Sequence, residues 1–292
     1  MSAMETQGGT GPTTPGARRR RRPVPGSLLV GGIVVTVVIG MALLSFVWTP
    51  HDPTLVNPAV RLQEPSLEYW FGTDKFGRDV FSQILIGSRT TLFVGLVAVG
   101  VAAVVGVPLG ILAGMGPRWF GELLMRGNDL ILAFPALLLA IMFAAVYGAG
   151  TTVAMVAIGI ASIPGFARLI RGGTLQVMGT EYVMAARSAG RRPFAIALRH
   201  VLPNVSSLVI VQASVGFAIA VLAEAALSFL GFGTPPPTPS WGRMLQESQE
   251  LLSSAPRLAV FPGVAIAVAV LGFNLLGDGL RDRFDPKVED RR

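Results

Sequence analysis

Six long apolar runs recur along this 292-residue chain and restrict its fold more than any other feature. They cover Leu28–Trp48, Thr91–Met115, Asp129–Tyr147, Thr151–Ala167, Val205–Leu230 and Leu258–Leu280. About 20 predominantly apolar residues in a helix cross the hydrocarbon core of a bilayer. The expected class is therefore an all-α polytopic membrane protein with six transmembrane helices. The fourth run is the shortest and contains Pro164-Gly165, so its end is the least sharply marked. Composition agrees: 14% of the residues are charged, against about 25% in an ordinary soluble domain. A soluble bundle of buried helices is the competing reading, and six runs of spanning length weigh against it.

The net charge of +7 invites a nucleic-acid reading, but its distribution follows topology instead. If the N-terminus is cytoplasmic, eighteen of the 24 arginines and lysines fall on the inside. The six on the outside are Arg61, Lys75, Arg78, Arg89, Arg243 and Arg257. That bias obeys the positive-inside rule. It puts both termini on the cytoplasmic side and leaves two sizeable outer segments, about 49–90 and 231–257.

Residues 1–26 are rich in Gly, Pro, Thr and Arg and are expected to be a disordered, basic cytoplasmic N-terminus. The membrane domain is expected over 27–287, with a short cytoplasmic tail at 288–292. Leu28–Trp48 is longer than a signal-peptide core and no small-x-small cleavage site follows it, so it reads as a retained anchor. There are no cysteines, which excludes disulfides and thiolate metal sites. His51 and His200 fall on opposite sides of the membrane on this topology, so no metal site and no Ser/His/Asp centre is expected. The two lysines, Lys75 and Lys287, lie outside any G-x-x-x-x-G-K-[ST] phosphate loop. The chain is therefore expected to be no enzyme and to hold no cofactor of its own. Either a gradient drives it, or the ATPase is another polypeptide.

The most organised polar segment, EYVMAARSAGRRPFAIALRHVLPN (Glu181–Asn204), stands between two apolar runs. Thr180 is a suitable helix N-cap and Glu181 sits in the first turn, where negative charge is favoured. Gly190 suits the position after the helix end, and Pro193 a first helical position. Pro203 then ends the second helix. Two short helices meeting at Gly190 are predicted. On the first, Tyr182, Ala185, Ala186 and Ala189 share a face of almost uniformly small residues. Such a face lets another body approach the backbone closely. A helix lying on lipid is the alternative, but it would carry bulky Leu, Phe or Trp there.

This segment resembles the coupling segment of ABC importer permeases, E-A-A-x-x-x-G followed by L-P: Ala185-Ala186, Gly190 and Leu202-Pro203 fit, and Met184 replaces the pattern's Glu. FGTDKFGRDVFSQILIGSRTTL (Phe71–Leu92), with Gln83 where Arg is common, MRGNDLILAFPALLLAI (Met125–Ile141), LAEAALSFLGFGTPPPTPSWG (Leu222–Gly242) and FNLLGDGLRDRFDPK (Phe273–Lys287) resemble the dipeptide, oligopeptide and nickel permeases of that class. The likeness is to the second, C-type permease of the pair and covers about residues 27–287. It implies a type I ABC importer permease fold with coupling helices at 180–203. It also implies a homologous permease partner, two cytoplasmic ATPases carrying the ATP and Mg2+, and an extracytoplasmic binding protein that selects the substrate. Glu181, Tyr182, Ala185, Ala186, Ser188, Ala189, Gly190 and Arg191 would then form the ATPase-coupling surface. Di- or oligopeptides are the expected substrates, with nickel or another small solute as the alternative and a gradient-driven transporter as a more distant one.

Glu224 lies inside the fifth run, where an ionisable residue usually faces a cavity or a partner. With Gln212 and Ser228 it is a candidate for the substrate path; a helix–helix hydrogen bond is the other reading. Asp129, Asn274 and Asp278 read as structural, pairing with Arg126, Arg281 or Arg283. Asp74, Arg78, Asp79 and Trp241, with Arg89 near them, are candidates for an outer gate or binding-protein contact, a solvated helix face being the alternative. Phe71, Phe76 and Phe81 suggest a segment at headgroup level, and Trp241 an anchor in the membrane interface. Pro108, Pro135, Pro164 and Pro262 are expected to kink or end spans.

Overall fold

A computed structural model describes residues 25–284, so the expectations for the basic N-terminus, Lys287 and the 288–292 tail lie outside the described residues. The described chain is helical, with one isolated bridge, Thr73 to Asp79, and no strand. The helices are α1 (Gly26–Val47), α2 (Val80–Met115), α3 (Arg118–Leu132), α4 (Ala136–Tyr147), α5 (Thr151–Met178), α6 (Glu181–Ser188), α7 (Pro193–Ile196), α8 (Leu202–Phe229), α9 (Trp241–Ser248) and α10 (Arg257–Phe284). Five stretches are long and apolar enough to cross a membrane alone, and the bent pair α3–α4 makes a sixth.

The exposed surface confirms what solvent these helices suit. Leu43, Phe46, Leu96 and Val104 are all more than half exposed. A soluble monomer rarely leaves apolar area so continuous; a span facing lipid must. The interior is built from small residues. α2 and α5 pack so closely that a Cβ on Gly106 would come within 2.6 Å of Phe166, and one on Gly110 within 2.7 Å of the Ala167 carbonyl. Between membrane helices, close backbone approach replaces the hydrophobic drive that water supplies elsewhere. α1 lies on α10 by the same means: a Cβ on Gly31 would meet the Leu276 nitrogen at 2.3 Å.

The helices depart from the apolar runs in physically explicable ways. α2 begins at Val80, eleven residues before its run, because Asp79 caps it by accepting from Ser82 N (2.9 Å) and the Ser82 hydroxyl (2.6 Å). α5 continues through Pro164 to Met178. Pro108 and Pro262 are likewise internal to α2 and α10. Only Pro135 interrupts a run. It disfavours helix at Phe134 and lacks an N–H, and α3 and α4 meet there at 77°. α4 alone, 12 residues, reaches about 18 Å, short of the hydrocarbon core of about 30 Å. Only α3 and α4 together have the length of a third span, and that pair is bent at Pro135. Pro203 ends nothing: it sits in the first turn of α8, and a five-residue π-helical turn, Ala197–Val201, joins α7 to α8 into one 37-residue helix, Pro193–Phe229.

Candidate functional site

Two polar constructions sit at opposite ends of the bundle. One is an elbow, α6–α7, between α5 and α8. The other is a cap, made from the 48–79 segment and α9, over the ends of α2, α8 and α10.

The elbow is rooted by a few apolar side chains. Val183 of α6, Ile196 of α7 and Val201 are fully buried with Ile170, Met178 and Val205 at the foot of α5 and α8. α6 ends where the sequence puts it. Gly190 adopts φ +75°, its N–H bonds the Arg187 carbonyl (2.9 Å), and Arg191 N reaches back to the Ala186 carbonyl (3.2 Å). That six-to-one bond satisfies a carbonyl the helix end would orphan. Pro193 opens α7. Thr180 occupies the N-cap position of α6 but does not cap; its hydroxyl donates to the Val177 carbonyl (2.6 Å), since α5 has only just ended and offers a nearer acceptor. Around the root everything faces outward. Glu181, Tyr182, Ala185, Ser188, Ala189, Gly190 and Arg191 are exposed and Ala186 is half-buried. Met184 and Phe194, at 50% and 74% exposure, flank the small face. Tyr182 is steadied by Asn204, whose amide donates to its hydroxyl (3.1 Å).

The cap is the reverse. Asp74 and Arg78 are nearly buried, and Asp79 and Trp241 fully so. Arg78 Nε donates to Asp74 Oδ2 (2.6 Å) and its Nη2 to Glu247 Oε2, while Arg243 Nε donates to Glu247 Oε1 (2.8 Å). Asp74 also accepts from Phe76 N, Arg78 N and Gln83 Nε2. Arg257, at the head of α10, donates to Glu64 and to the Leu62 and Gln63 carbonyls. Of the expected outer residues, Asp74 and Arg78 therefore bond each other, while Asp79 accepts from Ser82 and Trp241 donates to Ile84, all within this chain. Trp241 is no interface anchor: it is 1% exposed, packs against Gly87 of α2, and donates Nε1–H to the Ile84 carbonyl (3.0 Å). Phe71 is stacked on Phe261 at 4.2 Å and Phe81 lies against Trp70, so of the three phenylalanines only Phe76 is open. Sequence reasoning missed Glu247 and Arg243. The acidic and basic residues of WGRMLQESQE at i, i+4 spacing were the available signal.

The three candidates for the substrate path separate into two places. Glu224 is 1% exposed; its Oε1 accepts from the Ser228 hydroxyl (2.7 Å) and the Thr234 hydroxyl (3.3 Å). Ser228 in turn accepts from Thr234 N (3.0 Å). Glu224 and Ser228 thus tie the loop after α8 to its last turns, while Oε2 has no partner among the described residues. Gln212, three turns lower, lines a cavity of about 210 Å³ between α4, α5 and α8, together with Ser162, Gly165 and Ala223. Asp129 pairs with Arg168 of α5 (2.5 Å), not with the arginines expected, and this exposed pair links α3 to α5. Among the described residues no cluster of His, Asp and Glu could hold a metal ion.

The bent α3–α4 pair, the elbow and the cap belong to one polytopic helical bundle of membrane-spanning composition. The chain belongs to the family described as "Binding-protein-dependent transport system inner membrane component", which it matches over residues 106–290. It is 44% identical over 261 residues to the dipeptide transport system permease protein DppC of Alkalihalophilus pseudofirmus, covering 89% of this chain and 86% of the relative. It is 42% identical to the glutathione transport system permease protein GsiD of Pectobacterium atrosepticum, and 47% identical to that of Escherichia coli O6:K15:H31. Each of those matches runs over 262 residues, 89% of this chain, and covers 87% and 86% of the relative respectively. The fold matches the MetNI methionine ABC transporter in an inward-facing conformation, with TM-score 0.59 at 18% identity, over 70% of this chain and 97% of that one. The chain is thus a multi-pass ABC permease of the type I fold.

Proposed function

We propose that this chain forms half of the translocation pore of a binding-protein-dependent importer for di- or oligopeptides. The observation that carries the reading is the elbow. A rigid, Gly190-terminated helix pair holds a face of small side chains away from the bundle, rooted by Val183 alone on α6. A helix built to lie on lipid would turn bulky residues outward along its whole face; this one offers Ala185, Ala186 and Ala189 to a closely approaching partner. That partner is a cytoplasmic ATPase, which supplies the ATP and Mg2+ and makes this chain a subunit without catalysis of its own. A homologous permease completes the pore, and a substrate-binding protein delivers cargo at the cap end. Both termini and the elbow lie on the cytoplasmic side, consistent with the charge bias. The dipeptide and glutathione transport named for the relatives supports a peptide cargo.

In this role Glu181, Tyr182, Ser188, Gly190 and Arg191 frame the docking face. Gln212 faces the space between α5 and α8. Glu224 and Ser228 hold the outer mouth, and Asp74, Arg78, Asp79 and Trp241 give the cap the rigidity a gate needs. The chain lacks cysteine, which allows a direct test: place one cysteine at Ala186 and cross-link in native membranes. The expected product is this chain joined to an ATPase. Labelling without any protein product, in membranes that contain the ATPase, would overturn the coupling reading. Nucleotide-driven uptake of a dipeptide into vesicles, absent without the binding protein, checks the cargo.

A further inference from the structure

At the cap end, α1, α2 and the start of α5 enclose a groove of about 560 Å³. Roughly 300–1,000 Å³ is the usual range of ligand sites. Its length is apolar: Ile39 and Leu43 of α1 face Phe93 and Leu96 of α2, with Met155 of α5 at the base. Its mouth is polar and basic. Arg89 lies there with Thr90, Thr151, Thr152 and Thr238. Arg89 is held in place, Nε donating to Ser45 Oγ (2.5 Å) and the guanidinium lying 3.8 Å over the Phe46 ring. Unlike Arg78, Arg243 and Arg257, it has no carboxylate partner among the described residues. Its remaining N–H groups are free for an anion. α5 begins at the same mouth, at Thr151, and its N-cap residue Gly150 provides no side-chain cap, so the first-turn N–H groups also face this end. A helix N-terminus favours negative charge.

We propose that this groove is a binding site for an anionic phospholipid from the leaflet at the cap end, with an acyl chain along the groove and the phosphate at Arg89. The charge pattern selects this occupant. A partner helix would cover the apolar walls but leave a guanidinium without a counter-charge, and a free phosphate would leave the walls bare. Arginine with the Thr152 and Thr238 hydroxyls suits a phosphodiester, the Thr90 and Thr151 hydroxyls being given to Pro239 O and Thr234 Oγ1, and the apolar walls suit its tail. Lipid bound here would fill the seam between α1 and α2 next to the cap, goes beyond the importer reading, and does not depend on which cargo is carried.

The assembled transporter in nanodiscs of mixed phosphatidylglycerol and phosphatidylcholine provides the test. Photoreactive acyl-chain analogues of each lipid are used, and the labelled peptides are mapped by mass spectrometry. The expected result is preferential phosphatidylglycerol labelling of the Ile39–Phe46 and Leu92–Leu96 peptides. R89Q should reduce that preference about five-fold, the worth of one basic group at an anionic surface, and R89K should keep most of it. Equal labelling by the two lipids in the wild-type protein overturns the proposal. So does protection from both, which would mean that a protein partner covers the groove. The wild-type comparison decides the matter even if R89Q fails to assemble.

Discussion

The cap and the elbow are both polar, both lie at the end of an apolar bundle, and use their polar groups in opposite ways. The cap turns them inward: Asp74, Arg78, Glu247 and Arg243 form one nearly buried ionic chain that joins the segment before α2 to α9. The elbow turns them outward: Arg187, Arg191 and Arg192 are exposed, and among the described residues they form no ion pair. Polar residues directed at each other make a lid that keeps its shape alone. Polar residues directed at nothing in the same chain make a surface that waits for a partner. The two ends should therefore respond differently to mutation, one in stability and the other in assembly.

The largest effect on stability should come from Arg78→Ala. Removing Arg78 leaves the nearly buried Asp74 without a cation and Glu247 with Arg243 alone, at a cost of about 3–5 kcal/mol. Thermal unfolding of the purified complex should show a clear loss, and an unchanged midpoint would mean that the cap is wet and loosely held. Trp241→Ala should cost about 3–5 kcal/mol through the cavity it leaves beneath α9, read in the same assay. At the elbow, Ala186→Leu should move the midpoint by no more than about 0.5 kcal/mol while ATP-driven uptake falls more than about ten-fold. A matching loss of stability would erase the contrast. Gly190→Ala places a Cβ at φ +75° and should cost about 1–2 kcal/mol. The smallest effect belongs to Thr180→Ala: a true N-cap would cost about 1 kcal/mol, but this hydroxyl bonds Val177, so a change below about 0.5 kcal/mol is expected.

The sequence revealed the bundle and the elbow for the same reason. Hydrophobic period, capping residues, Gly190 and Pro193 all act over one or two turns, and local rules reach that far. Where it misled, a distant residue decided the outcome. Arg78 meets Glu247 across 169 positions, and Trp241 finds its acceptor 157 positions away in Ile84. No pattern within a window could distinguish an aromatic bound for the interface from one bound for the core. Proline was ambiguous for a related reason. Pro164 and Pro203 are absorbed into helices whose neighbours hold them, while Pro135, at the end of a short amphipathic helix, bends the α3–α4 pair. Glu224 was recognisable as unusual, but that it would secure the loop at Thr234 was not, because the loop's return path is set by α9 and the cap.

The continuous helix from Pro193 to Phe229 has a mechanical consequence. Its 37 residues form a rod of about 55 Å, with the elbow's second half at its foot and Glu224 near its head. A tilt of about 5° at the foot displaces the head by about 5 Å at that length. The π-helical turn at Ala197–Val201 is the weakest-wound stretch of the rod. It lies just above the foot, where a bend swings the longest arm and so changes the displacement of the head most. The chain has, in effect, a lever with its compliance next to the handle.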